Sequence, residues 1–271
     1  MRKVAIITDD TCDLPADLID ELEIIQVPTK VIFSDKTFKS TGVKGELTLD
    51  EYYKRAEQEL PTTSTASLGE ISRALDMGLE KADAVIAIFV SNHMSPYANN
   101  TKTVIKQYFS DKNILVVDSK VTSVGLGILV LEAARLAPKG GSFIDISNQV
   151  SIWLDQVHFA GIMHTLENLV RTGRVPKTKK FMADFFKVKP IVKLVDGQVS
   201  VMGKIRANED LIIKQMKKFG RLAIEHMNGE SDYVLIGHTR WLDAAQQVAD
   251  FIAEHNPNKK NIIIQETGAI V

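Results

Sequence analysis

The residues best placed for chemistry are hydroxyls. Residues 61–70 read PTTSTASLGE, in which Pro61 introduces Thr62, Thr63, Ser64 and Ser67 just ahead of a helix-like segment. Glu70 stands three residues after Ser67, at capping-box spacing. One hydroxyl suffices to cap a helix; the surplus, beside a helix start whose partial positive charge attracts anions, suits a carboxylate or a phosphate. A second cluster, VSNHMSPY at 90–97, follows a strand-like run and sets Ser91 and Ser95 just before Pro96, a residue suited to the first turn of a helix. Two such ends converging on one crevice would make an anion site. Neither serine has a base in its local sequence, so a nucleophilic role lacks its activating partner.

Other chemistries fit less well. The Gly-x-Ser-x-Gly of α/β hydrolases and the Gly-x-x-x-x-Gly-Lys of phosphate-binding loops are absent. Gly125-Leu126-Gly127 lacks the third glycine of a dinucleotide loop and reads as helix packing. His93, His158, His164, His226, His238 and His255 show no paired helical spacing of the zinc-binding kind, and Cys12 is the one cysteine, so no metal site and no internal disulfide are expected. His238 ends the strand-like YVLIGH, where it is either a functional group or a histidine that hydrogen-bonds the next helix. Asp9, Asp10 and Asp13 in TDDTCDLP offer a cation site or, the reading preferred here, a turn and helix cap through Asp10 or Thr11.

These residues need a frame. Short apolar runs at Val4–Ile7, Val31–Phe33, Ala84–Val90, Ile114–Val117, Tyr233–Gly237 and Ile262–Gln265 read as buried strands. Amphipathic patterns predict helices over Glu70–Lys81, Tyr97–Phe109, Val124–Leu136, Phe143–Leu154, Asp210–His226 and Asp243–His255. The alternation predicts an α/β fold with a mostly parallel sheet flanked by helices. KPIVKLVDGQVSVMGKIR departs from that rhythm: its alternation around Asp196-Gly197 predicts a hairpin, and with it a second α/β domain whose sheet is mixed. The expected domains are 1–160 and 161–271. With 33 basic and 34 acidic residues among 271, the net charge of −1 draws the chain toward neither nucleic acid nor acidic membranes. The opening MRKVAIITDD reads as a strand, no run of eighteen apolar residues occurs, and a cytoplasmic address is expected.

Taken together, several of these motifs resemble the DegV family, bacterial fatty-acid-binding proteins that act as acyl carriers for a fatty acid kinase. TDDTCDLP resembles the family's T-D-S-x-x-D-L-P, PTTSTAS its P-x-T-S-x-P-S, and VVDSKVTSVGLGILV its V-x-D-S-x-x-x-S-x-G-x-G stretch. TLENLVRTGRV is similar to L-x-x-L-x-x-G-G-R-I, and KPIV, the Asp-Gly hairpin and the arginine of GKIR follow in order. The resemblance implies a two-domain carrier without catalysis or cofactor of its own, holding a long-chain fatty acid between its domains. By motif position the carboxylate falls to Thr63 and Ser95, with Ser64 and Ser119 as neighbours. It further implies that a separate kinase subunit makes an acyl phosphate for phospholipid synthesis, with Arg174 and Arg206 suited to the kinase or the phosphoryl group. Burying a sixteen-carbon chain is worth about 12 kcal/mol gross at ~0.8 kcal/mol per methylene, so the tail supplies affinity and the head group sets orientation.

Two departures bear on the head group. The family's S-G-T-Y reads Ser95-Pro96-Tyr97, and its H-x-G-P-G reads Glu266-Thr267-Gly268-Ala269. Where the family carries a histidine near the carboxylate, an ionised Glu266 would repel one, so Glu266 is protonated, points away, or meets a different head group. Residues 171–193 hold a basic stretch with Phe181, Phe185 and Phe186 at helical spacing, read as a solvated face packing its phenylalanines inward, or as a surface for an acidic kinase or for transient membrane contact. Nucleic acid is not an expected partner. Two alternatives stand beside the carrier: a family member with another amphiphilic or anionic ligand, and a serine-dependent hydrolase or transferase.

Overall fold

The computed structural model describes residues 2–39, 45–175, 188–226, 233–256 and 261–268. The chain divides into two compact units, Met1–Val157 with Thr267–Val271, and His158–Glu266.

In the first unit β1 (Arg2–Asp9) lies between β2 (Ile25–Val27) and β6 (Ala82–Phe89), and β7 (Ile114–Asp118) follows β6, every pairing parallel. Val4, Ile6 and Ile7 of β1 and Val85–Phe89 of β6 are buried, as strands covered on both faces require. The helices that cover them are α3 (Leu68–Lys81), α4 (Tyr97–Tyr108), α5 (Ser123–Leu136) and α6 (Phe143–Gln156). α5 is apolar on nearly every side because it packs on β1 and β6 and is itself covered by α6. α3 lies so close to the sheet that a Cβ at Gly78 would sit 2.9 Å from Val85 Cγ2.

The run around Val31 leaves this sheet. β3 (Lys30–Ile32) pairs antiparallel with both β4 (Thr37–Lys39) and β5 (Thr62–Ser64). Its core of Val31, Phe33, Phe38, Leu47 and Tyr52 is closed by α2 (Leu49–Ala56), while α1 (Ala16–Glu21) joins β1 to β2.

In the second unit β9 (Val188–Val195) pairs antiparallel with β8 (Ala160–Ile162) and β10 (Gln198–Arg206). Asp196 and Gly197 turn the β9–β10 hairpin with φ of 47° and 83°, the double positive φ of a type I′ turn. β11 (Tyr233–His238) and β12 (Asn261–Glu266) pair parallel, so this unit holds both kinds of pairing in separate sheets. α7 (Glu167–Arg171) precedes β9; α8 (Glu209–His226) and α9 (Leu242–His255) pack together where Gly220 meets Ile252. Among the described residues no helix is long and apolar enough to cross a membrane. Phe181, Phe185, Phe186 and most of the basic stretch lie outside the described residues.

Candidate functional site

The strand order β2-β1-β6-β7 reverses direction between β1 and β6, and open parallel sheets bind ligands at the carboxyl ends of the strands at such a point. The loop after β6 carries Ser91 to Ser95, so topology and the hydroxyl clusters select the same place. Asp9, the last residue of β1, spans the reversal: its Oδ2 accepts from Val90 N at 2.8 Å. Its Oδ1 accepts from Thr11 N at 3.0 Å and from the Thr11 hydroxyl. Burial pushes the Asp9 pKa up to about 6, against the lowering by these bonds. The cap expected at Asp10 or Thr11 is therefore made by Asp9, on a 3-10 turn at Asp10–Cys12. Asp10 instead accepts from Thr29 N at 3.0 Å through both oxygens.

Of the first hydroxyl cluster, Ser67 is the cap. It accepts from Glu70 N at 3.3 Å and donates to Glu70 Oε2 at 2.7 Å. Glu70 is also paired with Lys30 and Lys39 at 3.0 and 3.3 Å. Burial raises its pKa, and the Ser67 bonds and the two lysines outweigh that and bring it to about 2. Thr63 and Ser64 are released from capping and lie on β5. Thr63 Oγ1 makes no hydrogen bond among the described residues, and Ser64 Oγ has only a 3.4 Å contact to Thr65 O. Ser95 Oγ, half-buried, likewise makes none, its backbone N–H being fixed on Ser91 O at 2.9 Å.

Tyr97 ties these two segments together, a role the sequence reading missed. Fully buried at the start of α4, it donates to Pro28 O at 3.0 Å and accepts from Ala66 N at 3.1 Å. Its single proton is spent on Pro28, so Thr29 Oγ1, at 3.1 Å, is the donor of their bond. Asn100 Nδ2 adds a 3.3 Å bond to Thr65 Oγ1. The segment just after Thr63 and the helix start just after Ser95 are thus joined by side chains. Pro96 caps α4 without a side-chain bond and brings no N–H of its own.

Ser119 is used differently. Its Oγ donates to Val121 O at 3.1 Å and accepts from Val121 N at 3.2 Å, so it shapes its own loop and has no proton left for an anion. Asp13, after the 3-10 turn, does not cap α1, whose start has no side-chain cap bond. It accepts from Ser123 Oγ at 2.7 Å and from Gly268 N at 2.6 Å. Burial pushes its pKa up to about 7, against these two bonds. Burial also raises the Cys12 thiol, leaving it a neutral core group. No group of three or more metal-ligating residues occurs among the described residues. A groove of about 460 Å³ along β2 and α3, bordered by Gln26, Arg73, Met77 and Lys81, is not lined by the candidate hydroxyls.

The remaining candidates lie in the second unit. Glu266 ends β12 opposite His238, and its Oε1 is 3.8 Å from Arg240 Nε, a charge partner of its own. His238 Nδ1 accepts from Trp241 N at 3.3 Å, the helix-bonding role expected for it as one of two readings. Arg174 follows α7 and donates to Thr172 O at 2.9 Å; Arg206 ends β10, exposed.

The DegV family model, described as an uncharacterised protein family, matches residues 3–271. A DegV domain-containing protein of Clostridium perfringens is 31% identical over 271 residues, covering 99% of this chain and 93% of its own. Two solved structures are each 26% identical and cover 100% of this chain and 94% of theirs. They are a DegV family protein of Thermus thermophilus described by its fatty acid binding, with a TM-score of 0.83, and a fatty acid binding DegV family protein of Streptococcus agalactiae, with a TM-score of 0.81. The chain belongs to the DegV family.

Proposed function

We propose that this protein binds a long-chain fatty acid and holds its carboxylate with the hydroxyls of Thr63 and Ser95, with Ser64 beside them. The observation that carries the reading is that the Thr63 and Ser95 hydroxyls, without a hydrogen bond among the described residues, lie on segments joined by Tyr97, at the end of a parallel sheet where its strand order reverses. Solved structures of the same fold that bind fatty acids support the ligand class. A carboxylate removed from water needs donors, and charge-assisted hydroxyl bonds contribute about 1.5–3 kcal/mol each. Among the described residues neither hydroxyl has an acid or imidazole hydrogen-bonded to it, which favours a carrier over a serine-dependent catalyst.

In the same proposal the bound acid is phosphorylated by a separate kinase subunit, with Arg174 and Arg206 meeting the partner or the phosphoryl group, and Glu266 paired with Arg240. Solvent extraction of the purified protein should release a stoichiometric fatty acid, and the double variant Thr63→Ala/Ser95→Ala should lower affinity for added palmitate at least about tenfold. Protein that is empty and ignores palmitate refutes the reading. For the partner, Arg174→Ala should lose acyl-phosphate formation in the presence of the kinase while keeping palmitate; full activity removes Arg174 from that role.

A further inference from the structure

The fatty-acid reading leaves unused the most constrained acid of the first unit. Asp13 is buried, non-glycine, and in the left-handed region with φ of 45°. Its hydrogen-bond partner Ser123, also buried, has φ of 52°. Two L-residues held in this sparsely populated region, bonded to each other at 2.7 Å, indicate a local arrangement that its surroundings enforce. The other carboxylate oxygen takes the Gly268 N–H at 2.6 Å, from 255 residues away in the chain. Asp13 follows β1 and Ser123 follows β7, so both stand at the carboxyl end of the parallel sheet, the end from which the Ser91–Ser95 loop also leaves. Thr267, buried beside Gly268, is brought to that end with it.

We infer that Asp13 is a positioning residue for the head-group site: its carboxylate clasps Gly268 to Ser123 and so holds Thr267 and Gly268 at the end of the sheet where, on the reading above, the fatty acid carboxylate binds. The clasp needs an acceptor facing Gly268, since an amide N–H only donates. Ser123 is less demanding, because a hydroxyl donates or accepts. Asparagine therefore reproduces the clasp, its oxygen toward Gly268 and its NH₂ toward Ser123, and alanine abolishes it.

The test is made on the full chain with palmitate as the probe, measuring affinity by calorimetry and amide hydrogen exchange at Gly268. Asp13→Ala should speed exchange at Gly268 and weaken palmitate binding, each about tenfold or more, and Asp13→Asn should restore both to near wild type. A purely structural acid would lower the melting temperature of the alanine variant without this matched loss and rescue. Where Asp13→Ala fails to fold, Gly268→Pro deletes the donor while leaving Asp13 and Ser123 in place, and should show the same loss of affinity. Palmitate affinity within twofold of wild type in either variant overturns the positioning role while leaving the fatty-acid reading intact. Wild-type protein that takes up no palmitate overturns both, and unchanged Gly268 exchange in Asp13→Ala removes the clasp itself.

Discussion

Replacing Tyr97 with phenylalanine removes one oxygen and leaves the ring, stacked on Phe89 with centroids 5.5 Å apart, in place. Apolar burial is retained, so any loss comes from the three polar groups the phenol serves. Ala66 N–H is buried and loses its acceptor, which costs about 1–3 kcal/mol for a donor left unpaired. Pro28 O is half-buried and regains water in part, and the Thr29 hydroxyl can rotate, so these two add about 1 kcal/mol together. The expected loss is ~2–4 kcal/mol. It is read from the urea midpoint by far-ultraviolet circular dichroism, with Tyr108→Phe, a change at a ring that is 62% exposed, as the neutral control. The same variant should weaken palmitate binding, because Ala66 and the start of α4 lose the atom that joins them. A loss below about 0.5 kcal/mol with unchanged binding would refute the tether and with it the argument that Thr63 and Ser95 act together.

Stability should depend on pH in an unusual direction. Asp9 and Asp13 have folded values of about 6 and about 7 against an ordinary 3.8, so between those limits the folded chain holds more protons than the unfolded one. Unfolding free energy then falls as pH rises from about 4 to about 7 and levels above, with Asp9 alone contributing on the order of 3 kcal/mol. Glu70, held at about 2 against 4.5, works the other way: its stabilisation is present above 4.5 and is lost as pH falls toward 2, below this window. The urea midpoint should be higher at pH 5 than at pH 8, with Asp13→Asn narrowing the gap; equal midpoints in wild type contradict the assignment. Glu266→His exchanges an acceptor for a donor and forfeits only an exposed pair with Arg240, worth ~0–1 kcal/mol, so palmitate affinity should rise at little cost in stability. Unchanged or weaker affinity would count against Glu266 facing the head group.

Features governed by near neighbours were legible in the sequence. Continuous Val and Ile runs marked β1, β6 and β7, the Asp-Gly pair marked the β9–β10 hairpin, and Ser67 with Glu70 marked the start of α3. β5 was hidden because Thr62–Ser64 is polar and becomes a strand only through β3, whose own departure from the parallel sheet depends on β4 as well. Asp13 was hidden for a related reason. Acid, turn and proline beside it suggest a local cap, while its actual partners lie 110 and 255 residues away. Local clustering and motif position singled out the candidate hydroxyls, but a hydroxyl has one proton, and only the folded chain shows where it has gone. Ser67 has given its proton to Glu70 and Ser119 to Val121. Among the described residues Thr62, Thr63 and Ser95 make no side-chain hydrogen bond and Ser64 makes only a 3.4 Å contact, so the fold narrows the cluster to hydroxyls whose protons remain available, and Thr63 and Ser95 are the two that the proposal uses.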